Sequence, residues 1–107
     1  MSEEYLSVMN ETKWKEIKLL MVNYSFLVYW RTKDLYTQHI SNWDGEWFYH
    51  FTLGGYKTIE LLEIKVVEEE KFEQVLADLK AIHVPGKIND KIITIYGYQK
   101  DQILNYL

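Results

Sequence analysis

The spacing of apolar residues switches between helical and strand periods along this chain, and that switching constrains the fold more than any single motif. In Trp14, Ile17, Leu20, Met21 and Tyr24 the apolar side chains recur at three- and four-residue steps, as on one buried helix face. Asn10 stands where an N-cap belongs, and Glu11 where the helix dipole favours an acid. From Ser25 the period drops to two. Phe26-Leu27-Val28-Tyr29-Trp30 reads as a strand, closed by a polar turn at Arg31-Thr32-Lys33-Asp34. Thr58 to Val67 reads as a long strand whose apolar positions begin on odd residues (Ile59, Leu61) and move to even ones (Leu62, Ile64, Val66). Such a slip predicts a bulge in a central strand. A second helical stripe follows in Phe72, Val75, Leu76, Leu79 and Ile82, opened by Glu68-Glu69-Glu70 and stopped at His83-Val84-Pro85-Gly86. Ile92 to Tyr98 alternates once more as a last strand. Residues 2–9 and the tail from Gln99 read as short helical turns.

Between these elements, Asp44-Gly45 separates two extended runs, Thr37 to Trp43 and Glu46 to Thr52. An Asp-Gly pair in that setting predicts a type I′ hairpin, since both central residues need positive φ. In that register Ile40, Trp47, Tyr49 and Phe51 face the core, while Trp43, Glu46, Phe48, His39 and His50 face outward. Gly54-Gly55 makes the next turn. The expected order is α-β-β-β-β-α-β: a single α+β domain over residues 1–107, with helices on one face of a mainly antiparallel sheet.

Composition narrows the function classes. The 107 residues carry twelve Lys+Arg against sixteen Asp+Glu, a net charge of −4, and no cysteine. Disulfide scaffolds, thiol nucleophiles and cysteine-type zinc sites are excluded. Acidity on this scale argues against a nucleic-acid or anionic-membrane partner. No apolar run approaches the roughly 20 residues of a membrane helix, and Met1-Ser2-Glu3-Glu4 is acidic where a signal peptide is basic. These features lead to the expectation of a cytoplasmic domain with no cofactor.

No phosphate loop, dinucleotide fingerprint, serine elbow or zinc-helix motif is present, so no enzyme is expected. His39 and His50 oppose each other in the expected hairpin, with Cβ atoms about 4.5–5.5 Å apart. They are either an exposed pair or two ligands of a metal or small-molecule site that would need further groups. His83 falls in a helix's last turn, where it suits the dipole. The aromatic residues are the stronger clue. Trp43 and Phe48 beside Asp44 and Glu46, with Glu60, Glu63 and Tyr98, supply large rings rimmed by acids, as a protein-binding hot spot requires. A homodimer contact is the competing account of the same rings.

Three stretches, Trp30 to Leu35, Ile40 to Phe51 and Gly54 to Glu60, together with His83-Val84-Pro85-Gly86 and Ile95-Tyr96-Gly97-Tyr98, resemble a family of small uncharacterised bacterial proteins. Its most specific part is the W-D-G-E-W core, Trp43 to Trp47. In size, charge and class, though not in motif, the chain is also similar to immunity proteins of contact-dependent inhibition and other polymorphic toxin systems. That likeness implies a protein that binds a cognate toxin, such as a basic nuclease domain, and occludes its active site or substrate groove.

Overall fold

The computed structural model describes residues 5–52, 55–100 and 105–107. In chain order the elements are β1 (Leu6–Ser7), α1 (Glu11–Val22), β2 (Val28–Asp34), β3 (Ile59–Val66), α2 (Phe72–Ile82), β4 (Gly86–Asn89), β5 (Ile92–Tyr96) and β6 (Tyr98–Gln99). Short 3-10 turns occupy His50–Thr52 and Glu69–Lys71. β2, β3, β5 and β4 form an antiparallel sheet in that order, and β1 pairs with β6. The α+β class expected from the changing period is the one observed.

Asn10 caps α1 as its position predicts, its side chain accepting from the Lys13 N–H at 2.8 Å. Strand alternation then decides where the core lies. Val28 and Trp30 of β2, Leu62 and Ile64 of β3, and Ile93 and Ile95 of β5 point one way. There they meet Trp14, Ile17 and Met21 of α1 and Val75, Leu76 and Leu79 of α2. Burying a side chain of this kind stabilises by about 1.5–3 kcal/mol, which makes this single apolar layer the main support of the fold. Phe72, expected in the core, packs against it half-buried.

The expected bulge is present. Between Lys33 and Asp34 the pairing slips, so that Lys33 faces Leu61 and Asp34 faces Ile59. Glu60 is the extra residue, and its carbonyl accepts from the Gly97 N–H at 2.7 Å. The chains approach so closely here that a Cβ on Gly97 would lie 2.1 Å from the Ile59 carbonyl oxygen. No side chain fits at that position.

The hairpin at Asp44-Gly45 does not form. Residues 40–44 instead fold back along β2, with bridges Lys33↔Ile40 and Trp30↔Asp44. The chain reverses at 35–39, where the Asp34 carboxylate accepts from the Tyr36 and Thr37 N–H groups at 3.0 and 2.8 Å, and Gln38 has φ +62°. Arg31 to Asp34 is consequently strand rather than turn. Ile40 and Tyr49, expected in the core, are exposed, whereas Trp47 and Phe51 are buried. Trp30 is buried as well.

Two consecutive positive φ values do occur, at Asp90 (49°) and Lys91 (68°), between β4 and β5 with Asn89 opposite Ile92. This is the primed two-residue turn geometry, at a place where the sequence shows no glycine. β4 itself was not expected. Leu6–Ser7 is strand rather than helical turn, while residues 2–4, Gly54 and 101–104, which also carried expectations, lie outside the described residues. Because a non-glycine residue held at left-handed φ costs roughly 1–2 kcal/mol, Lys91→Gly should stabilise the protein by about 0.5–1 kcal/mol. That is the net after glycine's greater unfolded-state freedom and the loss of an exposed ion pair with Glu69. Urea unfolding of the two proteins measures the difference, and a destabilised variant contradicts the strain at this turn.

Candidate functional site

The W-D-G-E-W segment is a loop tied to β2 by its own polar groups. The Trp30 and Asp44 backbones exchange two hydrogen bonds, each 2.8 Å. The Trp30 indole N–H donates to the Glu46 carbonyl at 2.9 Å, and the buried Trp47 indole N–H donates to the Val28 carbonyl at 2.9 Å. Both indoles sink into an aromatic cluster, in which the Phe51 ring lies 5.2 Å from Trp30 and 4.9 Å from Trp47. Gly45 leaves room for Leu27, whose Cδ1 would stand 3.0 Å from an added Cβ.

The two carboxylates of the motif serve the next turn. Asp44 accepts from the Glu46 N–H at 2.8 Å and lies 2.7 Å from His50 Nδ1. Glu46 accepts from three successive N–H groups: Phe48 at 3.0 Å, Tyr49 at 2.9 Å and His50 at 2.6 Å. The His50 N–H, with those of Tyr49 and Phe48, holds the Glu46 carboxyl below its ordinary pKa. Burial pushes the Asp44 carboxyl up, but the Glu46 N–H and His50 outweigh it, so Asp44 is lowered too. The product of this capping is a stiff turn that presents two rings. Phe48 is 48% exposed and Tyr49 69%, edge to face at 4.8 Å, with the Lys18 ammonium 4.5 Å from the Phe48 centroid. A cleft of about 250 Å³ beside them is lined by Val22, Phe26, Leu27 and Trp47.

The expected acid-rimmed patch is dispersed. Trp43 lies on the opposite side of the sheet, 4.4 Å from the Arg31 guanidinium. Glu63 pairs with Arg31 at 2.5 Å. Glu60 is buried, accepting from Gln38 Nε2 at 2.8 Å with Lys33 Nζ at 3.8 Å. The Tyr98 hydroxyl donates to the Lys57 carbonyl. Of the residues singled out, Asp44, Glu46 and Phe48 stay together. Tyr49, Val22 and Leu27 join them; the spacing of Glu46 to the next N–H groups is a capping signature, masked by reading that run as a strand.

His39 and His50 are not cross-strand neighbours, yet both line a cleft of about 300 Å³ with Asp34, Ser41, Thr32 and Thr58. Among the described residues, no group of three or more His, Cys, Asp or Glu side chains is placed to hold a metal. His83 caps the end of α2 at φ 64° and stacks on Tyr106 at 4.1 Å. No helix among the described residues is long and apolar enough to cross a membrane.

A family model described as a family of unknown function, DUF6678, matches residues 1–102. The chain belongs to that family. No curated protein and no solved structure matches it.

Since Asp44 and Glu46 have lower pKa values folded than unfolded, their contribution to stability is complete above the unfolded carboxylate range, near pH 4–5. It is lost as pH falls through the folded values. Glu46→Gln, which keeps one acceptor oxygen but loses the charge and the other, should lower Tm by roughly 5 °C at pH 7, the effect of a weakened cap, and the gap should narrow between pH 5 and pH 3. Melting curves at stepped pH test this; a gap that does not change with pH argues against the cap.

Proposed function

We propose that this chain is a non-catalytic binding protein, an immunity protein that neutralises a cognate bacterial toxin in the cytoplasm by covering its active site or substrate groove. The observation that carries the reading is the way Glu46 holds Phe48 and Tyr49 outward on a capped turn. Rings presented on a fixed backbone lose little conformational freedom when a partner covers them, which is how aromatic anchors gain affinity. Val22 and Leu27, both exposed, extend the apolar surface beside them. A net charge of −4 favours a basic partner, a nuclease domain being the natural class. Glu68, Glu69, Glu70 and Glu73, all exposed where α2 begins, supply steering charge in place of Asp44 and Glu46, which serve the turn.

Co-expression with the product of the gene immediately upstream tests both layers of this reading. Growth should be rescued and the two proteins should co-purify. Phe48→Ala combined with Tyr49→Ala should weaken the complex by on the order of 3 kcal/mol while lowering Tm by only a few degrees, because Tyr49 is mostly exposed and Phe48 about half exposed. Undiminished affinity in the double variant would exclude this turn as the interface. Failure to rescue growth would remove the toxin assignment.

One observation favours a second reading, a metal- or ligand-binding domain: His39 and His50 share a single polar cleft. On that reading the purified protein carries a near-stoichiometric metal that His39→Ala loses. Elemental analysis decides, and metal-free protein retires the metal form of the idea.

A further inference from the structure

The second face of the four-stranded sheet has no helix over it among the described residues, and its charge is opposite in sign to that of the chain. Alternation places Arg31 and Lys33 of β2, Lys65 of β3 and Lys87 of β4 there, against Glu63. Arg31 is matched by Glu63 at 2.5 Å, and Lys33 by Glu60 at 3.8 Å. Lys65 and Lys87 are exposed, and among the described residues neither has a carboxylate within ion-pair distance. With Asp90 at the end of β4 set against these two lysines, the local excess is about one positive charge, although the chain as a whole has four more acids than bases.

A second, independent feature is aromatic. Half-buried Trp43 reaches this face from the loop, its ring 4.4 Å from the Arg31 guanidinium and 5.7 Å from Lys65 Nζ. Glu63 fixes that guanidinium, so the ring rests on an anchored cation. Tyr96 lies on the same face two strands away, at the border of a cleft of about 320 Å³ that Lys87 and Thr94 also line. Asp90 and Glu63 border this cleft as well, so the positive charge is concentrated at the two lysines rather than spread along it.

Lysines set among rings on a sheet surface form the arrangement that holds an unpaired nucleic-acid strand, phosphates on the ammonium groups and bases against the π faces. An acidic peptide would account for the lysines but not for the rings. We propose that this face binds a short single-stranded nucleic acid, with backbone phosphates at Lys65 and Lys87 and bases against Trp43 and Tyr96. Stacking makes the site tolerant of sequence, and two lysines make it weak. The chain-wide sum of charges hides such a site, because a bound strand meets the local field of the face. The proposal concerns different residues from the Phe48–Tyr49 turn and stands or falls separately.

Fluorescence anisotropy of an end-labelled octathymidylate, titrated with the full chain at low salt, tests it. Saturable binding is expected, with log affinity falling against log salt at a slope of about −1.4, or −0.7 for each of two neutralised phosphates. Lys65→Gln combined with Lys87→Gln should abolish binding, and both positions are exposed enough to leave the melting curve in place. Trp43→Ala should weaken it roughly tenfold, and Lys18→Ala, beside Phe48, should leave it unchanged. Absence of saturable binding, or equal binding by the double lysine variant, overturns the proposal. Binding of a labelled oligoglutamate in place of the oligonucleotide also overturns it, and assigns the face to acidic protein.

Discussion

Two indole hydrogen bonds fix the loop of residues 40–51 against β2. Trp47 donates to the Val28 carbonyl and Trp30 to the Glu46 carbonyl, so the loop and β2 each satisfy a polar group of the other. A buried carbonyl or indole N–H left without its partner costs about 1–3 kcal/mol, so these bonds select one seating of the loop rather than merely favouring it. With the indoles in place, Phe51 completes the aromatic cluster against Trp14 and Tyr56, and the segment from 40 to 51 adds Trp47 and Phe51 to the core although it contributes no regular strand. The ends of the motif then diverge. Trp43 goes to the open side of the sheet, and Phe48 goes to the side shared with α1.

The parts of the fold legible in the sequence are those where one pattern acts without competition. The stripes of α1 and α2 could be read because nothing else accounts for apolar residues at helical spacing. The bulge was legible because Ile59 and Leu62 both need burial, and one extra residue, Glu60, is the least disruptive way to provide it. Asp44-Gly45 misled because the same tokens support two outcomes. An aspartate before glycine suits a tight hairpin, but Asp44 and Glu46 together offer carboxylates to four backbone N–H groups, and that local bonding wins over a strand ladder. The real two-residue turn, Asp90-Lys91, was invisible for the converse reason. Asp90 tolerates a turn, but no glycine follows it, and tertiary pairing of β4 with β5 imposes positive φ on Lys91, which has no turn preference of its own.

The candidate site was legible in composition but not in assembly. Surface aromatics and acids were both expected, and both exist, but their grouping depended on a register that the loop does not adopt. Glu60 and Glu63 became internal partners of Gln38 and Arg31, leaving Phe48 and Tyr49 as the presented rings. Charge behaves the same way. A net value describes long-range steering, whereas a partner at contact meets one face, and alternation along β2, β3 and β4 sorts lysines and arginine to one side.

Both edges of the sheet meet other chain segments, which shapes how any partner can be recognised. Residues 40–44 run beside β2, with the Ser41 N–H donating to the Thr32 carbonyl at 2.9 Å. At the other edge the Gly86 N–H donates to the Asn105 carbonyl at 2.9 Å, and Tyr106 bridges Pro85. Exposed edges invite backbone pairing with another chain, and the loop along β2 suppresses that route there, while on the β4 side only the start of the strand at Gly86 is covered. A partner strand added to β2 would have to displace the loop whose indole bonds hold Phe51 in the core. On the two readings proposed above, recognition falls to side chains of the capped turn and of the open sheet face rather than to a hydrogen-bond register along an edge strand.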